Sequence, residues 1–118
     1  MVIASLLGAT GVALGAYASH GLASWATIKQ TEYFQLAVTY QLFHALALLA
    51  VSTLTIIFDN VFLTVSKIAF VLGIVFFSGS LYLYVFTGTK ILGAITPIGG
   101  LLLIIAWLSL AIAVIRKQ

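Results

Sequence analysis

Histidine is the side chain of this sequence best suited to chemistry, because imidazole titrates near neutral pH and binds metals. The chain has two histidines, His20 and His44, and no cysteine. Together they could be the axial ligands of a haem, or bind a metal with a carboxylate such as Glu32. A neutral His44 could instead relay a proton or bind a ligand, and it could equally form a structural hydrogen bond inside the protein.

Haem and metal are the weakest of these hypotheses. Two histidines are the minimum for bis-histidine haem, and Glu32 would have to fold back to reach a metal held by both. We therefore expect no cofactor and no metal, and the structural hydrogen bond is the favoured interpretation of His44.

Further polar side chains accompany His44 within the apolar segments. Gln41 lies one helical turn before it, and Ser78 and Tyr82 are four residues apart, so each pair shares a helix face. Thr96 directly precedes Pro97, a pattern typical of a helix start, and is predicted to cap that helix. The candidate polar or ligand site comprises His20, Gln41, His44, Ser78, Ser80, Tyr82 and Thr96.

Catalytic motifs are missing from the sequence. There is no phosphate-binding glycine loop, no HExxH and no nucleophile elbow, and the apolar segments contain no carboxylate. A hydrolase or transferase site is difficult to assemble from what remains. We therefore expect no enzymatic activity.

The composition assigns these residues to a membrane. Of 118 residues, 64% are apolar and 6% are charged, and the mean hydropathy is +1.28. Soluble domains carry about 25% charged residues, so a cytosolic enzyme, a secreted module and a disordered chain are excluded. The few basic residues are scattered and form no patch for nucleic acid.

Continuous apolar runs predict helices that span the bilayer. A helix needs about 20 apolar residues to cross it, and the runs do not alternate as barrel strands would. Residues 16–18 resemble a signal-peptidase site, but no basic residue precedes the first apolar run. We therefore expect that the first run is not cleaved off and forms a transmembrane helix. The longest connection, 19–37, is expected to lie in the headgroup layer. We predict one all-α domain over 1–118, a compact bundle of four transmembrane helices at about 1–18, 38–58, 68–86 and 97–115.

The basic residues predict the orientation of these spans. With four spans both termini lie on one side, together with Lys67, Arg116 and Lys117, whereas Lys29 and Lys90 lie on the other. This three-to-two bias favours cytoplasmic termini in a multi-pass protein of the cell membrane.

Small residues mark the helix faces that we expect to pack closely, because helices in lipid associate through close contact. They recur at helical spacing in the first, third and fourth spans. The simplest interpretation is packing within the bundle, and the alternative is a face that meets a second protomer. The predicted packing glycines are Gly8, Gly11, Gly15, Gly73 and Gly99.

Four polar motifs resemble those of a known family. Residues 14–22 (LGAYASHGL) are similar to its Gly-Ala-Phe-Gly-Ala-His-Gly-Leu signature, and residues 40–49 (YQLFHALALL) to its Tyr-Gln-x-x-His-Ala-Leu-Ala-Leu-Leu segment. Residues 77–82 (FSGSLY) and 96–100 (TPIGG) match two further blocks in the same order. The chain thus resembles the YgdD/YwdK family of small four-helix membrane proteins, a domain-of-unknown-function family.

This resemblance implies a bacterial inner-membrane protein with four spans and supplies no activity. The sequence departs from the family pattern at two places. Ala18 and Ser19 replace Gly-Ala before the histidine, and Thr39 stands where a basic residue is expected before Tyr40. The second change removes a charge at the helix entry and argues against an anion role there.

Our prediction for the function is a structural or accessory role in membrane integrity or in a membrane complex. The alternative is a small-molecule, ion or proton pathway, oligomeric if it exists, lined by polar residues of the first three helices. The expected partners are membrane lipids and either further copies of the chain or another membrane protein, and no nucleic acid.

Overall fold

The computed structural model describes residues 1–117 and contains four long helices joined by short connections. Each helix is long and apolar enough to cross a membrane. The prediction of an all-α protein with four transmembrane helices is confirmed. The helices are α1 (Val2–His20), α2 (Ile28–Ile57), α3 (Val61–Thr87) and α4 (Leu92–Ile115), and a single 3₁₀ turn, Leu22–Ser24, follows α1.

Helix α2 starts ten residues before the apolar run that predicted it. A capping box fixes this start, with the Gln30 amide donating to the Thr27 hydroxyl and the Thr27 amide donating to the Gln30 side chain. With 30 residues, α2 is about 45 Å long at 1.5 Å per residue. The polar residues of 28–37 therefore form its first turns, and the connection expected over 19–37 shortens to 21–27.

Helix α4 also starts earlier than expected, at Leu92. Thr96 is consequently its fifth residue, and the prediction that Thr96 caps the helix is wrong. Its hydroxyl bonds back to the Leu92 carbonyl. Pro97 lies inside the helix and cannot bond the carbonyl of Gly93, but Gly93 is exposed near the helix end, where the missing bond costs little.

Each helix packs against the next one along the chain, whereas the backbones of non-consecutive helices lie farther apart and are bridged by side chains such as His44 and Trp107. The result is a slab of 53 × 26 × 16 Å. Its apolar core has two parts: one surrounds the fully buried Phe70 and Val51, and the other surrounds Phe34 and Leu22.

The α3–α4 interface is built on small residues seven positions apart. Ser66, Gly73 and Ser80 on α3 meet a stripe on α4 that includes Gly99 and Ala106, and all are buried. A methyl group at Gly99 would collide with the backbone of α3 at Phe76 and Phe77, so the two helices approach closely there. Such close contact, together with interhelical hydrogen bonds, drives the association of helices in lipid.

The predicted packing glycines of α1 differ in their surroundings. A Cβ at Gly11 would lie 2.6 Å from the Leu42 side chain, and one at Gly15 would lie 3.2 Å from Val38. Both therefore face α2. Gly8 has no atom in reach of an added Cβ, and it contributes no comparable contact.

Candidate functional site

Gln41 is the centre of a hydrogen-bond network that joins three helices. Its buried side-chain amide donates to the Leu7 carbonyl at 2.9 Å and to the Thr10 hydroxyl at 2.8 Å, both on α1. Its carbonyl oxygen accepts from the Tyr82 hydroxyl of α3 at 2.7 Å. Three of the bonds that a glutamine side chain can form are therefore made to neighbouring helices.

His44, one turn further along α2, bonds in the opposite direction, towards α4. The indole N–H of Trp107 donates to its Nε2 at 3.1 Å. Its Nδ1 lies 2.8 Å from the carbonyl oxygen of Tyr40. Because an indole can only donate and a carbonyl can only accept, these partners assign the neutral tautomer that carries hydrogen on Nδ1. Both ring nitrogens are thus occupied.

Aromatic rings surround the imidazole of His44. Tyr40 stacks on it at a centroid distance of 5.6 Å, and Phe43, Phe70 and Trp107 contact it at 5.4–6.0 Å. A cavity of about 510 Å³ lies beside it between α2 and α4, with a mainly apolar lining. The environment holds the ring in place and offers it no acidic partner.

The serines of α3 bond to both neighbouring helices. The Ser78 hydroxyl donates to the Ala37 carbonyl of α2 at 2.7 Å, and Ser66 donates to the Ala106 carbonyl of α4 at 2.9 Å. Ser80 bonds to the hydroxyl of Thr96 on α4. Ser78 and Ser80 therefore serve different interfaces, although they are two residues apart.

These contacts define an interhelical network, whose side chains are Thr10, Gln41, His44, Ser66, Ser78, Ser80, Tyr82, Thr96 and Trp107. Within residues 1–117 no buried side-chain nitrogen or oxygen lacks a hydrogen-bond partner. The network contains no carboxylate and no lysine or arginine. It can hold helices in register, and it offers no nucleophile paired with a base.

His20 stands apart from this network. It is exposed at the end of α1. Gly11 of α1 packs beside Gln41 of the antiparallel helix α2, so the residue of α1 at the same depth as His44 is near Gly8. His20 lies twelve residues further along α1, which is about 18 Å along the helix axis.

His20 and His44 therefore do not lie at the same depth in the membrane. The early start of α2 explains this, since it places His44 sixteen residues, about 24 Å, inside the helix. The two histidines cannot share a haem or a metal within this chain. Over residues 1–117 no three His, Cys, Asp or Glu side chains are grouped to hold a metal ion.

The candidate site predicted from sequence leaves out three members of the network. Trp107 is the only tryptophan inside an apolar span, and Thr10 and Ser66 are hydroxyls within apolar helices. A polar group on such a helix must find a partner, so each carried a signal. Which helix supplies the partner depends on packing that the sequence does not state.

Comparison with known proteins relates the chain to uncharacterised membrane proteins. Residues 14–100 match the family model described as "Protein of unknown function (DUF423)". A UPF0382 membrane protein of Haemophilus influenzae is 41% identical over 111 residues, covering 94% of this chain and 89% of the relative. The UPF0382 membrane protein SSP2132 of Staphylococcus saprophyticus is 40% identical, covering 98% and 96%. YwdK of Bacillus subtilis is 34% identical, covering 98% and 95%. No solved structure matches.

Proposed function

Because the chain belongs to the DUF423 (UPF0382) family of membrane proteins, we propose that it has a structural or accessory role, in membrane integrity or in a membrane complex. The membership confirms the family resemblance of the four sequence motifs, and the chain is a multi-pass membrane protein. No activity is attached to the family description.

The observation that carries this proposal is that the polar side chains of the interhelical network are bonded to neighbouring helices. Gln41 joins α1, α2 and α3, His44 joins α2 to α4, and the serines reinforce the α3 interfaces. A substrate would have to displace one of these bonds and leave its former partner unpaired, at a cost of about 1–3 kcal/mol. Such an arrangement favours one rigid packing over binding and release.

A pathway for a small molecule, an ion or a proton, lined by His20, Gln41, His44, Ser78 and Tyr82, has less support. A proton relay needs a continuous chain of bonded groups. No hydrogen bond among residues 1–117 connects His44 to Gln41, and His20 has no side-chain hydrogen bond to either. The side chains of the network instead form hydrogen bonds to neighbouring helices.

The experiment that tests the proposal compares stability with function across the network. His44→Gln, Ser78→Ala and Tyr82→Phe are each expressed in a strain lacking the gene, and growth under membrane stress is measured beside the melting temperature of each purified variant. Thr53→Val is the matched control, because its hydroxyl is exposed and bonds only within α2.

For a structural role, growth and melting temperature fall together and recover together, and Thr53→Val behaves as wild type. A variant that melts like the wild type and fails to restore growth would overturn the proposal and favour the pathway.

A further inference from the structure

A groove separates α1 from α3 along the last turns of α2. It exists because α1 and α3 both pack on α2, whereas their own backbones lie farther apart. Its volume is about 680 Å³. The lining includes Ala4 of α1. From α2 it includes Leu48, Ser52 and Thr55, and from α3 it includes Lys67 and Leu72.

The polar side chains of the lining, Ser52, Thr55 and Lys67, all lie towards one membrane surface, among apolar residues such as Ile56 and Ile68. Thr55 lies two residues before α2 ends, and Lys67 is in the second turn of α3, so both are near the same membrane surface. Leu48 and Leu72 lie one to two turns deeper on their helices. A polar mouth above an apolar floor has the same polarity profile as a phospholipid, in which the head group lies above the acyl chains.

Lys67 is the only charged side chain among the described residues that line the groove. It lies six residues inside α3, about 9 Å along the axis. Helical side chains lean towards the N-terminus, so its long stem directs the ammonium to the surface where α3 begins, as lysines near helix ends do in membranes.

The groove mouth lies at the more basic end of the molecule. Arg116 and Lys117 follow α4 at this end, where they lie over Phe62 and Phe58 at 5.9 and 5.7 Å from the ring centroids. Asp59 is the only acidic residue of the described chain at this surface, and it is on the exposed turn outside the groove. The charge of the mouth is therefore complementary to an anion.

We propose that this groove binds one anionic phospholipid. The phosphate lies at Lys67, at the end of the groove that Thr55 and Ser52 also line, and an acyl chain lies along Leu48 and Leu72. The groove shares no residue with the interhelical network. The proposal therefore stands independently of the structural role.

The test is the melting temperature of the full chain in detergent with added lipid, because a ligand of the folded state raises it. Phosphatidylglycerol is expected to raise the melting temperature of the wild type by several degrees, and phosphatidylcholine by clearly less. Lys67→Met keeps the apolar stem and removes the charge, so it should lose this difference. Lys90→Met, at the opposite surface, is the matched control and should keep it.

A second variant tests the apolar part of the groove. It also provides a test of the proposal if Lys67→Met does not fold. Leu72→Trp fills the floor with a larger apolar side chain while Lys67 stays, and it is also expected to lose the shift. Glycerol phosphate, which lacks acyl chains, should give no shift.

Several outcomes would overturn the proposal. Equal shifts with both lipids would show that charge is not recognised, and equal losses in Lys67→Met and Lys90→Met would show attraction by diffuse charge. A full shift in Leu72→Trp, or with glycerol phosphate, would exclude the acyl-chain groove. Exclusion of lipid by dimers that bury this groove would assign it to a second copy.

Discussion

Removing the Gln41 side chain should weaken the fold through the loss of three interhelical hydrogen bonds. Gln41→Leu keeps the approximate size and eliminates the bonds to Leu7, Thr10 and Tyr82. Interhelical hydrogen bonds in membranes contribute about 0.6 kcal/mol each on average, with a maximum near 1.7. The expected loss of unfolding free energy is therefore about 2 kcal/mol.

A double-mutant cycle with Tyr82→Phe isolates one of these bonds. In the wild-type background Tyr82→Phe should cost about 0.6–1.7 kcal/mol. In the Gln41→Leu background it should cost nothing, or stabilise slightly, because the hydroxyl has already lost its acceptor. The coupling free energy is thus expected to equal the cost of Tyr82→Phe alone.

The assay is reversible unfolding in mixed micelles of increasing SDS content, followed by tryptophan fluorescence. Tyr84→Phe is the matched control, since its hydroxyl makes no hydrogen bond to Gln41, and its coupling should be zero. Additive effects of Gln41→Leu and Tyr82→Phe, within about 0.3 kcal/mol, would refute a stabilising hydrogen bond between Gln41 and Tyr82.

Three further predictions concern other parts of the molecule. His44→Ala should lower the free energy of unfolding in detergent by about 1–3 kcal/mol, because it leaves the Trp107 N–H unpaired. His44→Gln should restore much of this free energy, since an amide oxygen can still accept from the indole. Equal losses in the two variants would contradict the Trp107–His44 hydrogen bond. Gly99→Leu should abolish the folded band in gel filtration, whereas Gly8→Ala should melt as wild type, because Gly99 lies against the backbone of α3 and Gly8 has no neighbour in reach. Two normal proteins would place Gly99 outside an interface. Alkaline phosphatase fused to the C-terminus should be inactive if both termini are cytoplasmic, as the basic residues predict, and high activity would reverse the orientation.

The helices could be predicted from sequence because hydropathy is a local property. Each of the four apolar runs lies within an observed helix or nearly coincides with one. The starts of α2 and α4 could not be predicted in this way. Residues 28–37 are polar enough to indicate a connection, and Thr96 with Pro97 imitates a helix start. In α2 the helix begins before the apolar run, where hydropathy carries no signal for it. In α4 residues 92–95 are themselves apolar, and the Thr96–Pro97 pattern alone misplaced the start.

The polar residues of the network could be found from sequence, whereas their partners could not. Gln41 and His44 are conspicuous on an apolar helix. That Gln41 bonds to α1 and His44 to α4 depends on which faces of α2 meet which helix. The depth of His44 depends in turn on the start of α2, sixteen residues away. Tertiary packing determines these partners and this depth, and the local sequence pattern carries no information about tertiary packing.

Proton permeability of reconstituted vesicles tests the central claim most directly, that the buried polar side chains stabilise helix packing and do not form a conducting site. Vesicles containing the wild-type protein and a pH-sensitive dye should leak protons no faster than protein-free vesicles of the same lipid under an imposed potential. Faster flux that disappears in a His44→Gln variant of unchanged melting temperature would contradict this account.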